Sequence, residues 1–213
     1  MRMRRKTNLD SRIERCSHLL IAKPEDQRGR WHEELDFREL HVELGCGKGL
    51  FTVETAKGEP DVLLVGLEKV SNVLVIALEH TEQEGLQNVR FINRLADDLA
   101  DFFIPDEVSR LYINFCDPWP TNRHKKRRLT GQRFLDIYRN VLRPDGEIHF
   151  KTDDLPLFEF SLIELERCGF ALSDVTYNLH ESELVGVMTD YEVKFHELGM
   201  PIYRCVASPK KLP

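Results

Sequence analysis

The chain has 213 residues, 41% of them apolar and 31% charged, enough to bury a core in one domain and too mixed for a disordered or fibrous protein. No apolar run approaches the ~18 residues that span a bilayer, and the basic start Met1–Lys6 lacks the apolar stretch of a signal peptide, so a soluble, cytoplasmic protein is expected. The net charge of −6 points away from nucleic acid only as a total, because residues 1–6 hold four Lys/Arg, residues 123–128 hold five, and neither segment holds an acid.

Setting those nine aside leaves 21 basic against 36 acidic residues, or −15. An acidic body thus carries two concentrated cationic segments, and a docking polyanion feels the local field.

Residues 7–38 are polar and mixed, with a turn-prone stretch from Pro24 to Gly29, and read as an N-terminal arm with some helix. His41–Leu44 is a short strand that stops at glycines. Val62–Leu67 is a continuous apolar run, as expected of a strand buried on both faces. Val70, Val73, Leu74, Ala77 and Leu78 recur with helical spacing, and that helix ends near Gly85. Val89–Ile92 and Leu111–Phe115 read as further strands. A second helix carries Phe134, Ile137, Tyr138, Val141 and Leu142 on one face, and Pro144-Asp145-Gly146 then turns the chain into a strand over Glu147–Lys151. A third helix carries Phe158, Leu162 and Leu165 and closes at Gly169, before two last strands, Phe170–Asn178 and Ile202–Ala207. The alternation makes the fold class α/β, with a mostly parallel sheet covered on both faces. In such sheets ligands bind beyond the carboxyl ends of the strands.

The five cysteines (Cys16, Cys46, Cys116, Cys168, Cys205) are scattered and odd in number, so buried free thiols are expected rather than disulfides or a zinc site. The eight histidines show no ligand spacing, and no metal is expected.

Glu43-Leu44-Gly45-Cys46-Gly47-Lys48-Gly49 follows the first strand and opens a helix. Its glycines allow a sharp turn and let a ligand approach the backbone. Leu50 occupies the third glycine position of a dinucleotide fingerprint, and Gly49 follows Lys48 where a P-loop needs Ser or Thr. The pattern suits a smaller nucleoside ligand. Nineteen residues past Gly49, Glu68 follows the second strand, where a carboxylate can accept both hydroxyls of a ribose. Taken singly, the glycines are a tight turn and Glu68 a strand-end acid. Together they resemble the S-adenosylmethionine-dependent methyltransferases. The resemblance implies Glu43 near the methionine moiety, Gly45 and Gly47 beneath the ligand, and Leu95 and Ala96 around the adenine. Leu95 stands where many relatives carry Asp, which leaves the Ala96 backbone or Asp97 to hold the adenine amine.

Asn114-Phe115-Cys116-Asp117-Pro118-Trp119-Pro120 ends the fourth strand, facing the transferable methyl. Two prolines stiffen it, and an exposed Trp119 can stack on a base. Its order is superficially similar to the Asp-Pro-Pro-Tyr motif of amino-methyltransferases, so a nucleic-acid amino-methyltransferase is one alternative. A non-catalytic RNA-binding protein on a methyltransferase fold is another. The basic run Arg123–Arg128 comes at once, where five cations fit a phosphate backbone.

Asn114-Phe115-x-Asp117-Pro118-Trp119-Pro120-x-x-Arg123-His124-x-Lys126-Arg127-Arg128-Leu129-Thr130 closely resembles the bacterial tRNA (guanine-N7)-methyltransferases. So do the Met1-Arg2-Met3-Arg4 start, His149-Phe150-Lys151-Thr152-Asp153, Thr189-Asp190-Tyr191-Glu192-x-Lys194-Phe195 and Gly199-x-Pro201-Ile202-Tyr203-Arg204. The resemblance implies a Rossmann-like class I methyltransferase fold with a mostly parallel seven-stranded sheet. Residues 1–38 would form a basic arm and helical segment, and residues 39–213 the methyltransferase domain. It further implies methyl transfer from S-adenosylmethionine to N7 of guanine 46 in the tRNA variable loop, by a monomer or homodimer. Asp117 would be the catalytic acid, touching both cofactor and guanine. Thr121, Asp153, Thr189, Asp190, Tyr191 and Glu192 would hold substrate, and Arg123, His124, Lys125, Lys126, Arg127 and Arg128 would contact RNA. Thr121 departs from the Lys that relatives often carry there. Without the resemblance, Thr189–Glu192 reads as a charged surface turn, and Asp153 as a helix N-cap. Guanine N7 bears a lone pair and no proton, so Asp117 is expected to orient the base rather than deprotonate it.

Overall fold

The computed structural model describes residues 7–33, 36–184 and 186–210, with the backbone alone at position 122. The basic segment 1–6 lies outside the described residues. After α1 (Leu9–Arg15), β1 (Glu39–Leu44) leads into α2 (Leu50–Gly58), β2 (Val62–Leu67) into α3 (Ser71–Gln83), and β3 (Val89–Ile92) into the short α4 (Leu99–Phe102). The second half runs β4 (Val108–Asn114), α5 (Gln132–Val141), β5 (Leu142–Thr152), α6 (Leu155–Arg167), β6 (Phe170–Thr176), α7 (Asp190–Glu197) and β7 (Tyr203–Pro209).

The seven strands form one sheet in the order β3-β2-β1-β4-β5-β7-β6. β1 to β5 are parallel, and β7 runs antiparallel to both of its neighbours. This is the Rossmann-like, mostly parallel seven-stranded sheet expected from the sequence. Strand order reverses between β1 and β4, and the crevice at their carboxyl ends is where such a sheet binds ligands.

The unbroken apolar run of β2 has a direct cause. Leu63, Val65 and Leu67 enter one core cluster and Val62 and Leu64 the other, so alternate side chains are buried on opposite faces. The N-terminal segment divides between the cores, with Cys16 and Leu19 in the second and Trp31 in the first. Trp31 is fully buried, stacks on Phe103 at 5.2 Å and donates its indole N–H to the Phe102 carbonyl at 2.9 Å. α1 is fastened to α3 where Arg12 Nε donates to Glu79 at 2.7 Å.

One expected boundary is different. Pro144-Asp145-Gly146 does not turn between elements but bulges within β5. Val108 pairs with Leu142 and Arg110 with Glu147, so four residues oppose Ser109 alone. A side chain at Gly146 would lie 3.0 Å from the Arg143 carbonyl and 3.1 Å from that of Ser109, which is why glycine stands there.

Across β1, β4 and β5, His41, Tyr112 and His149 form a ladder of edge-to-face rings at 5.8 and 5.4 Å. Burial pushes the His149 pKa down to about 4, against the opposing pull of Glu147, and burial lowers that of His41 as well. An unfolded histidine binds its proton near pH ~6.5, whereas folded His149 resists it until about pH 4. Stability is therefore complete above the unfolded value and is lost as pH falls towards the folded one. Between pH 7 and pH 5, His149 alone should cost about 2 kcal/mol. Denaturant titrations should show that fall, and His149→Gln should reduce its slope; an unchanged slope would remove histidine burial as the cause.

Candidate active site

Beyond β1 the chain turns through Gly45, Gly47 and Gly49 at φ 78°, 60° and 81°, a region that strains any side chain. The Gly45 and Cys46 N–H groups both donate to the Leu67 carbonyl, at 2.8 and 2.9 Å, pinning the loop to the end of β2. A Cβ added at Gly45 or Gly47 meets nothing within 4 Å, whereas one at Gly49 would sit 2.6 Å from Ala77 Cβ. The first two glycines therefore border open space, and the third lets α2 press against α3.

Glu68, half-buried at the rim, accepts from the Val70 N–H at 2.8 Å and the Gly47 N–H at 3.3 Å. Asn93 ties this corner together, donating to the Glu68 carbonyl at 2.6 Å and accepting from Ser71 Oγ at 2.7 Å. Leu95 projects into solvent, 46% exposed, while Ala96 packs partly against the core. Asp97 is held by Arg133.

Glu43 lies beneath the loop, 2% exposed, and burial pushes its carboxyl pKa up. One oxygen accepts from Thr52 Oγ1 at 2.5 Å and the other from Asn114 Nδ2 at 3.1 Å. Glu43 thus braces β1, α2 and β4 from beneath the glycine loop.

The loop after β4 is strained and clamped. Phe115 and Trp119 adopt φ 51° and 44°, conformations that cost bulky residues roughly 1–3 kcal/mol each and persist only where surroundings impose them. The Phe115 N–H donates to the Lys151 carbonyl at 2.9 Å. Arg128 supplies the clamp, donating to the Pro118 carbonyl at 3.1 Å and the Trp119 carbonyl at 3.0 Å. Its guanidinium lies 4.3 Å over the Phe160 ring, and the residue is only 8% exposed. Arg128 is therefore turned inward, a correction to its expected RNA contact. Asp117 stands exposed at the head of this loop, with no side-chain partner among the described residues.

The rest of the basic run forms a cationic surface. Arg123, Lys125, Lys126 and Arg127 are exposed on short helical turns, with His124 half-buried. Arg127 lies 4.8 Å over the Trp119 ring, and exposed Thr121 bonds His124 Nδ1 at 3.0 Å.

Lys151, at the carboxyl end of β5, is a hub that the sequence reading quoted within a motif without giving it a role. The residue is 7% exposed, and its ammonium donates to Glu192 at 2.6 Å and to the Val187 carbonyl at 3.0 Å and lies 5.1 Å over the Phe51 ring. Burial pulls its pKa down, and Glu192 pulls it back up. Glu192 is fully buried. Thr189 is 8% exposed and caps α7 by accepting the Glu192 N–H at 3.0 Å. Both were expected to hold substrate, yet both face inward, because each is used in docking α7. Asp190 and Tyr191 remain exposed, and Tyr191 stacks 6.3 Å from Phe115, which also stacks on Phe195 at 6.2 Å. Asp154, not Asp153, caps α6, accepting the Leu157 N–H at 2.7 Å. Asp153 is left half-buried with no partner among the described residues.

Among the described residues no cluster of His, Cys, Asp or Glu could hold a metal ion, no helix is long and apolar enough to cross a membrane, and all five cysteines are free. Cys116 and Cys168 are half-exposed rather than buried.

A family model described as "Putative methyltransferase" matches residues 38–205. The tRNA (guanine-N(7)-)-methyltransferase of Geobacillus thermodenitrificans (strain NG80-2) is 47% identical over 209 residues, covering 97% of each chain. The protein of that name from Bacillus cytotoxicus is 43% identical over 215 residues, covering 100% of this chain and 99% of the other. In fold, the chain is similar to the 16S rRNA methyltransferase KamB, with TM-score 0.64 at 14% identity over 83% of this chain and 90% of that one. It is also similar to a precorrin-6y C5,15-methyltransferase from Geobacter metallireducens GS-15, with TM-score 0.56 at 15% identity over 97% of this chain and 94% of that one.

Proposed function

The chain belongs to the tRNA (guanine-N(7)-)-methyltransferase family, and we propose that it transfers a methyl group from S-adenosylmethionine to N7 of guanine 46 in the tRNA variable loop. The observation that carries the site assignment is the pairing of an open glycine cradle with a free carboxylate, Asp117, on a rigid loop across the β1–β4 crevice.

The residues present fit S-adenosylmethionine. Space over Gly45 and Gly47 admits the ligand's body. The Glu68 carboxylate at the rim can accept from ribose hydroxyls, and exposed Leu95 offers an apolar face to the adenine. Bound there, the donor supplies an electrophilic methyl on sulfur. Everything else the chain must do is positioning. Asp117 accepts from the guanine N1–H and N2 amine, which points N7 at the methyl, and no residue has to remove a proton. Positive charge grows on the guanine during transfer, and Asp117 and Asp153 favour it electrostatically. Exposed Tyr191 offers a stacking surface beside Asp117, and Arg123, Lys125, Lys126 and Arg127 take the phosphates.

The test is methylation of unmodified tRNA followed by mass spectrometry of its nucleosides. The expected product is 7-methylguanosine, lost when the variable-loop guanine is replaced. A methyl on an exocyclic amine would instead favour the amino-methyltransferase, and binding without turnover a non-catalytic RNA-binding protein.

A further inference from the structure

A second aromatic surface lies along the same rim, on the far side of Asp153. Tyr177 follows β6 and is 51% exposed. Its ring stands at 90° to Phe158, 5.3 Å away, and at 76° to Tyr203, 6.0 Å away, while those two rings stack on each other at 5.4 Å. Whichever partner presents its edge, perpendicular packing on one side leaves at least one face of Tyr177 open. The segment is held in place, since Leu179 N–H donates to the Ile202 carbonyl at 2.8 Å and Asn178 N–H to Thr176 Oγ1 at 3.2 Å. Leu155, 37% exposed and one helical turn before Phe158, widens the ledge.

A single exposed aromatic residue needs no explanation, but three features set this one apart. It is fixed by the buried ring of Phe158 and the partly buried ring of Tyr203 rather than loosely draped. It stands at the ligand-binding edge, because Tyr203 pairs with Thr152, the neighbour of Asp153. It also lies roughly 10–14 Å along the sheet from β4 at ordinary strand spacing, too far for the target guanine and within reach of nucleotides beside it. Proteins that read single-stranded RNA loops stack splayed bases on such rings.

We propose that Tyr177, backed by Phe158 and Tyr203, is a subsite for an unpaired nucleobase flanking the methylated guanine. This rests on the tRNA reading above. The subsite accepts any base with an open face, since stacking is sequence-tolerant, and it fixes the loop so that the target guanine enters beside Asp117.

The test uses the full chain with Tyr177→Leu, Tyr177→Phe and Tyr177→Trp, and tRNA carrying 2-aminopurine at either neighbour of the target guanine. With wild type, Phe and Trp, binding should quench one of the two labelled tRNAs. With Leu the quenching should vanish and kcat/KM for tRNA should fall roughly tenfold, the low end for one stacked base, with KM for the methyl donor and the Tm unchanged. Quenching and kcat/KM like wild type in the Leu variant would overturn the subsite. So would a Phe variant as impaired as Leu, which would assign the effect to the hydroxyl. A Leu variant with a lowered Tm and a loss that Phe and Trp also show would make Tyr177 a packing residue. A wild-type chain that does not methylate tRNA would overturn the functional reading itself, whereas a methylating chain indifferent to Tyr177→Leu would sink only the subsite.

Discussion

Asp117→Ala should lower kcat on tRNA about 100-fold or more, the scale of losing one preorganised electrostatic contact in a transition state, with little change in tRNA affinity. The structure supplies the reasons for both halves. Asp117 is exposed and has no side-chain partner among the described residues, so its removal leaves nothing buried unsatisfied and the Tm should hold. Its backbone is fixed by the strained Phe115 and Trp119, the two prolines and the Arg128 clamp. The carboxylate therefore waits in place, and a neighbouring side chain cannot swing in to replace it. On the reading proposed above, affinity rests on phosphate contacts of the basic loop. Single-turnover rates beside direct binding measurements separate the two quantities. Turnover within a few-fold of wild type would exclude Asp117 from the chemistry.

Lys151→Met should destabilise the fold by about 3–5 kcal/mol, because it leaves a fully buried carboxylate facing only His180, whose Nε2 lies 3.4 Å away. For a chain of this size that corresponds to a Tm loss on the order of 10 °C. Lys151 also joins three parts of the site: it binds Glu192 and the Val187 carbonyl, contacts Phe51 at the start of α2, and accepts from Phe115 through its backbone. Turnover should therefore fall together with stability. The double variant Lys151→Met, Glu192→Leu removes both charges and should recover most of the stability. It should not recover the activity, because α7 loses its register against the Phe115 loop. A single variant costing less than about 1 kcal/mol would mean that Glu192 is neutral or solvated, or that His180 carries its charge.

Much of this arrangement was legible in one dimension. The Val62–Leu67 strand agrees with the observed β2 to the residue, because burial on both faces leaves a continuous apolar run. The glycine loop and Glu68 are equally readable, since positive φ and open space restrict residue type. What stayed hidden is the direction in which charged side chains point. Arg128 looks like its neighbours in a basic run, yet it alone turns in to meet the Pro118 and Trp119 carbonyls. Glu192 and Lys151 each sit in a motif, but only the fold brings residues 41 apart to 2.6 Å. The helix over Asp190–Glu197 reads as a charged turn because, apart from its Thr189 cap, the contacts that hold it, to Phe115 and Lys151, are distant in sequence. The bulge at Pro144–Gly146 reads as a turn for a similar reason: a one-dimensional pattern records that the backbone bends, not that pairing resumes afterwards.

The place of β7 has a consequence for how the molecule assembles. It comes last among the described strands, yet it lies inside the sheet, and among the described residues β6 has no other strand to pair with. The wing built from β1, β2 and β3, with the glycine cradle, needs only the first part of the chain to pair its strands. The opposite wing cannot close until β7 has left the ribosome. α7 (Asp190–Glu197) is the helix before β7, so it docks on Lys151 in the same late step. The order of synthesis therefore completes the donor half first and the acceptor half last, with the slow, long-range pairings concentrated at the end.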